Sequence, residues 1–458
     1  NDHEVVGPLV AAAEDAFVTL DWPTATREYV ARVQSTAEMQ HIWQLPKDLP
    51  ARTEGLDAEQ RASVAAARDH LTQYLKTLAK QYPQQGALAV TGHAHIDLAW
   101  LWPLAETRRK ANRTFHTMIG LIQRYPDFRF NQSTAQLYAF LEEDDPELFA
   151  AIKERAAAGQ WEPIGAMWVE PDTNMPTGES FVRQLLYGQR YFERAFGRRH
   201  TVCWLPDCFG FSPALPQLLR QAGVDNFFTI KVNWSETNKM PFDLFWWEGL
   251  DGSRVLAHTF NNPVGGYNAE IGPKATVETW RNFGGKDRAG ESLLSFGFGD
   301  GGGGPTEEMI ERQRQMADFP ALPAMRPVSV AEWFAALHDL PHADELPTWV
   351  GEMYLELHRG TLTTQGRTKY LHRRAERALI AAEVLASMAA LAGAPVASSL
   401  EPQWRIVLRN EFHDILPGSS IREVYEQAEA ELARVVAAGR KAQDEHLSAL
   451  VDRLGVSG

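Results

Sequence analysis

Apolar and polar residues follow three successive patterns along the chain. Between residues 59 and 80, apolar side chains recur at helical spacing, which predicts an amphipathic helix. The Tyr82–Pro83 pair ends that pattern and marks a boundary. Short apolar runs then alternate with amphipathic segments as far as about residue 338, and long helical patterns occupy the remainder. The patterns predict a helical start, a central α/β region and a helical end.

The central region is predicted to alternate between strands and helices. Predicted strands occupy residues 87–91, 128–131, 161–169, 201–205, 227–232 and 293–298, and predicted helices occupy 135–141, 146–158, 181–196, 214–222 and 305–316. Ser133 or Thr134 would cap the first of these helices, and residues 245–247 and 255–259 would form a hairpin. This alternation implies a largely parallel sheet. We therefore predict an α/β fold with a seven-stranded, (β/α)-barrel-like domain.

The last part of the chain carries three helical patterns, at residues 367–391, 401–412 and 421–454. Because short connections join them, they predict a three-helix bundle. The resulting domain prediction is an N-terminal helical region at 1–83, an α/β barrel at 84–345 and a three-helix bundle at 346–458.

The composition narrows the class of protein. The 458 residues are 44% hydrophobic and 23% charged, which is ordinary for a globular protein. A formal net charge of −14 disfavours nucleic acid and anionic membranes as partners, since both attract clustered Lys and Arg. Two cysteines are too few for a disulfide framework, and no apolar stretch approaches the roughly 18 residues that span a bilayer. We therefore expect a cytoplasmic protein with no nucleic-acid or membrane partner.

The stretch GHAHIDLAW directly follows the first predicted strand of the central region. Side chains at alternate positions of an extended chain share a face, so His93, His95 and Asp97 would point the same way. Imidazole and carboxylate together suit a divalent ion such as zinc, and chemistry in α/β barrels gathers at the carboxyl ends of strands. We favour a metal site. The alternative is a core histidine beside an aspartate that caps the next segment.

A second apolar run, at residues 202–205, leads into Asp207 in the stretch WLPDCFGFS. A proline and two aromatic residues surround this carboxylate, which would suit a metal ligand, a nucleophile or both. An aspartate that begins a turn before Gly210 explains the pattern equally well. Cys203 and Cys208 have no partner pair elsewhere, so we expect two buried free thiols.

Three further stretches combine polar residues with apolar runs. The glycine run GDGGGGP lacks the Lys–Ser/Thr ending of a P-loop, so it offers no phosphate cradle and leaves Asp300 on a flexible loop or in a solvated turn. In EFHDILPGS, Asp414 would orient His413, although a histidine near a helix end more often stabilises the helix dipole. Two stretches, one with His358 and Arg359 and the other WVEPDTN, would each line a polar pocket or form a surface loop. We prefer the surface loop for both.

Taken together, five stretches resemble glycoside hydrolase family 38, the retaining α-mannosidases. HAHIDLAW, WLPDCFGFS, GDGGGGP, HRGTLTTQG and NEFHDILPGS occur in the order and rough spacing of that family, and the resemblance covers nearly all of the chain. The helical start and the stretch NWSETNKMPFDLFWWEGLDGSRVLAH look most like the cytosolic–vacuolar and bacterial branch. The resemblance implies an exo-α-mannosidase that hydrolyses α-linked mannose from oligosaccharides through a covalent glycosyl-enzyme.

The resemblance also implies a role for each matched residue. One zinc ion, with Co²⁺ or Ca²⁺ as alternatives, would be held by His95, Asp97, Asp207 and His413. Asp207 would also be the nucleophile, and Asp300 the general acid/base. A retaining mechanism needs a protonated acid, so we predict that dry surroundings and nearby carboxylates raise the pKa of Asp300.

The remaining matched residues would bind the sugar or support the metal ligands. They are Trp100 beneath the mannose, Phe209 beside it, His358 and Arg359 as further substrate-binding residues, and His93 and Asp414 behind the ligands. The expected partner is an α-mannoside oligosaccharide, and a homo-oligomer stays open as an alternative to a monomer. Family members continue into β-sandwich domains after the helical bundle, and we expect these to be absent here.

Two other functions stay open. A metal-dependent amidohydrolase or deacetylase would also place His-x-His after the first barrel strand, but it should recruit further ligands such as His200 or His258. A non-catalytic mannose-binding fragment is the second alternative, because the missing domains normally contribute to the pocket.

Overall fold

The computed structural model describes residues 58–259, 267–317, 319–396 and 399–455. These residues divide into two compact units. The smaller unit ends at Gln85 and includes Gln315–Ala324, whereas the larger comprises Gly86–Arg314 and the chain from Met325 onward. The amphipathic helix predicted at 59–80 is present in the smaller unit as α1, Ala58–Gln81. The rest of the predicted helical start lies outside the described residues.

Ten strands in these residues form two five-stranded sheets. They are β1 (Ala87–His93), β2 (Phe130–Gln132), β3 (Trp161–Pro163), β4 (Val202–Trp204), β5 (Asn226–Thr229), β6 (Leu244–Glu248), β7 (Arg254–Thr259), β8 (Ser292–Phe296), β9 (Ala324–Pro327) and β10 (Thr348–Val350). The first sheet has the order β3-β2-β1-β8, with β9 also beside β1, and the second has the order β10-β6-β7-β5-β4.

Parallel pairing dominates both sheets, as predicted. The pairs β1–β2, β1–β8, β2–β3, β4–β5, β5–β7 and β6–β10 are parallel, and β6–β7 is the predicted antiparallel hairpin. The α/β fold class is therefore confirmed, while closure of the strands into a seven-stranded barrel stays a prediction. Aromatic and aliphatic side chains of β4–β7 form a buried core that also holds Cys203 and Cys208, both free thiols as expected.

Eleven further helices follow α1 in the described residues. They are α2 (Leu104–Arg124), α3 (Ala135–Asp144), α4 (Pro146–Ala157), α5 (Gly178–Phe196), α6 (Leu215–Gln221), α7 (Pro273–Asn282), α8 (Glu307–Met316), α9 (Val330–His338), α10 (Gly366–Leu391), α11 (Glu401–Asn410) and α12 (Arg422–Leu454). The sequence did not predict α2, α7 and α9. Helix α2 is amphipathic, and its buried face carries Phe115, Met118 and Ile122, so its periodicity was a signal that the sequence analysis overlooked.

The strand predicted at 161–169 is much shorter than its apolar run. It ends at Pro163, because Gly165 and Ala166 adopt positive φ angles of 108° and 64° that turn the chain out of the sheet. Residues 168–173 are all buried, so our preference for a surface loop at WVEPDTN is wrong. Helix α3 begins after Thr134 without a side-chain cap, since the Ser133 hydroxyl donates a hydrogen bond to Glu170 instead.

This buried turn depends on a glycine in α5. A Cβ atom at Gly188 would lie closer than 3.0 Å to backbone atoms of Ala166 and Met167. We expect Gly188→Ala to lower the free energy of unfolding by about 1–3 kcal/mol, because the backbone contact leaves no room for a methyl group. Gly120→Ala is the matched control, since nothing outside the local backbone of its own helix lies within 4 Å of a Cβ there. It should raise stability by up to about 1 kcal/mol. Urea unfolding of both variants checks this, and equal midpoints would contradict it.

The last three helices pack against one another. Helices α10 and α12 approach closely where Gly439 faces Ala378, since a Cβ on that glycine would lie 2.9 Å from the alanine Cβ. The arrangement of α10, α11 and α12 as a separate three-helix bundle stays a prediction. Among the described residues, none of the helices has the length and apolar character needed to cross a membrane.

Candidate metal and glycosidase site

The carboxyl ends of four strands carry most of the candidate site. The segment after β1 holds His95 and Asp97. The segments after β4, β5 and β8 hold Asp207, Lys231 and Asp300, respectively. Because β1 runs parallel to β8 and β4 runs parallel to β5, these segments emerge at matching sheet edges. This is the position at which α/β proteins usually bind ligands.

Four side chains meet in a buried cluster formed by His95, Asp97, Asp207 and His413. One nitrogen or oxygen atom of each lies within 4.8 Å of those of the others. His95 Nε2 lies 2.9 Å from Asp97 Oδ1 and 3.6 Å from Asp207 Oδ2. His413 Nε2 lies 3.4 Å and 3.5 Å from the same two oxygen atoms. The structure therefore brings together the four residues that the family resemblance implies as ligands.

The contacts of these atoms fit a shared metal ion. His95 Nε2, Asp97 Oδ1 and His413 Nε2 are buried and make no hydrogen bond within the described residues. Leaving a buried polar atom unpaired costs about 1–3 kcal/mol, so three together call for a further partner. Two ligands about 2.0–2.1 Å from a tetrahedral zinc ion lie roughly 3.3 Å apart, close to the separations seen here. Two imidazoles and two carboxylates also form a suitable donor set.

Lys231 is a site residue that the sequence analysis missed. It is buried, its Nζ atom forms an ion pair with Asp207 Oδ1, and it donates a 2.8 Å hydrogen bond to the Tyr267 hydroxyl. Burial opposes ionisation of Asp207, but the Lys231 ammonium and the cluster histidines hold its pKa well below the usual range. Asp207 therefore stays ionised. The only signal in the sequence was a single lysine within the apolar stretch FFTIKVNW.

His93 is the last residue of β1, and its ring nitrogens contact groups other than the cluster. Its Nδ1 atom lies 3.1 Å from the Asn131 carbonyl, and its Nε2 atom accepts a hydrogen bond from Trp204. Burial and the neighbouring His95 lower the pKa of His93 to about 3. Because the ring is neutral and both of its nitrogens already have partners, His93 is not a member of the cluster.

Asp414 lies beside His413, but it makes no hydrogen bond to the outer nitrogen of that ring. Its Oδ2 atom lies 3.9 Å from His413 Nε2, the nitrogen that faces the cluster, and its Oδ1 atom accepts a hydrogen bond from Ser419. The opposite nitrogen, His413 Nδ1, lies 3.1 Å from the backbone carbonyl of Glu170. The Glu170 carbonyl is therefore the acceptor at the outer nitrogen of this ring, while the supporting role of Asp414 stays a prediction. Burial raises the pKa of Asp414 to about 7.

Asp300 lies on the loop after β8, which closes on itself through backbone hydrogen bonds between Phe298 and Gly304. A Cβ atom at Gly297 would lie closer than 3.0 Å to the His93 carbonyl, so a glycine is needed where the loop crosses β1. Asp300 is exposed, and the expectation of dry surroundings is wrong. Its pKa is nevertheless raised, because partial desolvation and the Asp207 and Asp97 charges outweigh the opposing effect of His95.

Phe209 joins the cluster to a neighbouring cavity. Its ring centroid lies 6.0 Å from that of His413 and 4.7 Å from that of His358, which it meets edge-on. His358 and Arg359 line a cavity of about 280 Å³ together with Phe209, so they do not form a plain surface loop. Trp100 is half-buried three residues beyond Asp97, with its ring centroid 5.8 Å from that of Trp102.

Two family models match consecutive parts of the chain. The glycosyl hydrolases family 38 N-terminal domain matches residues 85–352, and the alpha mannosidase middle domain matches residues 356–450. The chain belongs to glycoside hydrolase family 38. The family suggested by the five sequence motifs is therefore confirmed, and the candidate cluster draws residues from both matched parts.

Several family 38 relatives share high identity with the chain. Alpha-mannosidase G of Dictyostelium discoideum is 47% identical over 336 residues, which is 73% of this chain and 30% of the relative. Human alpha-mannosidase 2C1 is 42% identical over 75% of this chain and 33% of the relative. The alpha-mannosidase of Saccharomyces cerevisiae is 37% identical over 81% and 36%. The chain thus spans about a third of the length of these relatives.

A solved structure shares the fold of this family 38 chain. The crystal structure of an alpha-mannosidase from Enterococcus faecalis V583 superposes with a TM-score of 0.67 at 19% identity, over 80% of this chain and 43% of that chain. At this identity the likeness concerns the fold.

The two histidines that an amidohydrolase would recruit lie outside the cluster of this family 38 chain. His258 Nδ1 lies 2.8 Å from the Asp243 carbonyl, and the His200 backbone is hydrogen-bonded to Gln189. One further group in the described residues has metal-ligand composition, namely His372, Glu376 and Glu411. These side chains already bond to one another or to neighbours such as Gln184, Ser180 and Thr177, so this group is a hydrogen-bonded network.

Proposed function

We propose that this chain carries the catalytic centre of a retaining exo-α-mannosidase that releases α-linked mannose from oligosaccharides. The observation that carries the proposal is the buried cluster of His95, Asp97, Asp207 and His413 in a chain of family 38. The three relatives described above are all named alpha-mannosidases, which supports the substrate class. The unused amidohydrolase candidates His200 and His258 weigh against the deacetylase alternative.

The four clustered residues would hold one metal ion, which we propose to be zinc. Two imidazole nitrogens and two carboxylate oxygens suit zinc, and Co²⁺ is a close alternative, whereas Ca²⁺ prefers a larger set of oxygen ligands. When bound, the ion supplies positive charge and a fixed point of attachment for sugar hydroxyl groups.

Two carboxyl groups would perform the reaction. Asp207 attacks the anomeric carbon while Asp300 donates its proton to the departing glycosidic oxygen, which gives a glycosyl ester on Asp207. Asp300 then takes a proton from water as that water attacks the ester, and mannose leaves with retained configuration. Lys231 supports this role because its ammonium keeps Asp207 ionised before attack.

We place the substrate against the aromatic side of the cluster. Trp100 would lie beneath the mannose and Phe209 beside it, in keeping with the contacts of Phe209 to His413 and Lys231. The cavity lined by His358 and Arg359 would take the leaving-group sugars. His93 would support the site from behind through its contacts to Asn131 and Trp204, without touching the ion or the sugar.

Further proposals concern the larger organisation of the protein. We propose that the strands close into a (β/α)-barrel-like catalytic domain and that α10–α12 form a three-helix bundle. The change of matched family model between residues 352 and 356 supports a domain boundary near the predicted 345/346. A cytoplasmic location, a homo-oligomer and the absence of nucleic-acid and membrane partners rest on the family resemblance and on the charge of −14.

The function is tested with p-nitrophenyl α-mannoside and zinc-loaded protein. We expect release of p-nitrophenol, its loss after dialysis against a strong chelator, and its recovery when zinc is restored, because the proposed nucleophile Asp207 is itself one of the four clustered ligands. Deacetylation of acetylated sugars without mannoside hydrolysis would favour the amidohydrolase. Binding of mannosides without turnover would favour the mannose-binding fragment.

A further inference from the structure

Both histidines of the cluster turn their second nitrogen toward the same residue, Glu170. The Nε2 atoms of His95 and His413 face Asp97 and Asp207, so their Nδ1 atoms point away from the cluster. His413 Nδ1 lies 3.1 Å from the Glu170 carbonyl oxygen, and the His413 backbone N–H donates to the same oxygen at 3.1 Å. His95 Nδ1 lies 3.6 Å from Glu170 Oε2.

The side chain of Glu170 is placed to serve His95. It is 4% exposed, and its Oε1 atom accepts a hydrogen bond from Ser133. Neither Glu170 Oε2 nor His95 Nδ1 makes any hydrogen bond within the described part of the chain, although each is buried. When the ring binds a metal through Nε2, His95 Nδ1 carries a proton and is a donor, and Glu170 Oε2 is an acceptor. A movement of under 1 Å would bring these two atoms within hydrogen-bond distance.

The backbone of Glu170 is fixed independently of the side chain. Gln184 accepts a hydrogen bond from the Val169 N–H and donates to Glu411 and to the Leu408 carbonyl, so it ties the segment before Glu170 to the segment before His413. The Asp172 N–H donates to the Glu411 carbonyl on the other side. The carbonyl of Glu170 is thus held against His413 by the fold.

We propose that Glu170 is a positioning residue that fixes the tautomer of both histidine ligands. Its carbonyl accepts the Nδ1 proton of His413 and its carboxylate accepts the Nδ1 proton of His95, so both Nε2 atoms are left free for the ion. A carboxylate behind an imidazole also makes the ring a stronger ligand. This inference rests on the proposed metal site but assigns a role that none of the family motifs indicated.

Zinc affinity measured by competition with a chromogenic chelator tests the proposal. Glu170→Gln keeps the shape of the side chain but removes its charge, and we expect zinc to bind about 10–100-fold more weakly. Glu162→Gln is the matched control, because Glu162 is also a buried carboxylate but bonds to Val330 and Ala331. It should bind zinc within about threefold of the wild type, since it lies behind no ligand.

Three outcomes decide between explanations. Equal zinc affinity of Glu170→Gln and wild type overturns the positioning role, whereas absence of zinc binding by the wild type overturns the proposed metal site itself. A merely structural role would lower the thermal stability of the metal-free protein without changing the absorption spectrum of the Co²⁺-loaded protein, and we expect that spectrum to change. Should Glu170→Gln fail to fold, Ser133→Ala decides, because it removes the hydrogen bond that the Ser133 hydroxyl donates to the carboxylate. Unchanged zinc affinity of Ser133→Ala also overturns the proposal.

Discussion

Replacing Asp207 by asparagine should lower kcat on p-nitrophenyl α-mannoside by about 10³-fold or more, because an amide cannot form the glycosyl ester. The asparagine side chain keeps one oxygen atom in place, so weak sugar binding should survive. Asp207→Ala removes the oxygen as well, which eliminates one ligand of the cluster and leaves Lys231 buried without its partner. We therefore expect Asp207→Ala to lose both turnover and most of the zinc affinity.

The matched control for Asp207→Asn is Asp251→Asn, which removes an exposed carboxylate from the β6–β7 turn. It should leave kcat within about twofold, since surface substitutions away from a site have small effects. Intact-protein mass spectrometry after rapid acid quenching should detect a mannosyl adduct on the wild type and none on Asp207→Asn. Turnover by Asp207→Asn within tenfold of the wild type would exclude Asp207 as nucleophile.

Asp300→Asn should lower kcat/KM more for a substrate whose leaving group must be protonated than for one whose leaving group departs as an anion. We expect a loss of about 10²–10⁴-fold in kcat/KM on an α-linked mannobiose, because proton donation by a positioned acid is worth about that much. The loss on p-nitrophenyl α-mannoside should be smaller, since p-nitrophenolate departs without protonation. Added azide should restore part of the turnover by replacing the water that Asp300 activates. Equal losses on the two substrates would contradict the acid/base assignment.

The pH profile gives a second measurement on Asp300. A general acid works only while protonated, so kcat/KM of the wild type should fall as pH rises through the pKa of Asp300. That pKa is raised by partial desolvation and by the Asp207 and Asp97 carboxylates, which extends activity to higher pH. Asp300→Asn should lose this basic limb on p-nitrophenyl α-mannoside. A basic limb that persists in the variant would assign the titration to another group.

The sequence was most informative where a strand ends in a short chemical motif. Strand–helix alternation predicted the parallel sheets, and the motifs that contain His95, Asp97, Asp207 and His413 predicted a cluster that the structure assembles from segments more than 300 residues apart. Strand length was less predictable. The apolar run at 161–169 forms only a three-residue strand, because apolar composition reports burial and does not distinguish a strand from a buried turn.

Residues that act through buried partners escaped the sequence analysis. Lys231 was one charged residue in an apolar run, and its importance comes from the Asp207 carboxylate beside it. Glu170 was assigned to a surface loop, and Asp414 was the residue expected to orient His413. In the structure the Glu170 carbonyl reaches His413 across 243 residues of chain, while Asp414 lies on the opposite side of the ring.

The sequence by itself determined the family, the α/β class and the identity of the clustered side chains, because each of these depends on residue type and local periodicity. Only the tertiary structure decided which atom of each side chain faces the cluster, that His93 turns away, and that Lys231 and Glu170 contact the cluster residues. These outcomes depend on distances between segments remote in sequence. Such distances are set by packing of the whole chain, to which no local pattern gives access.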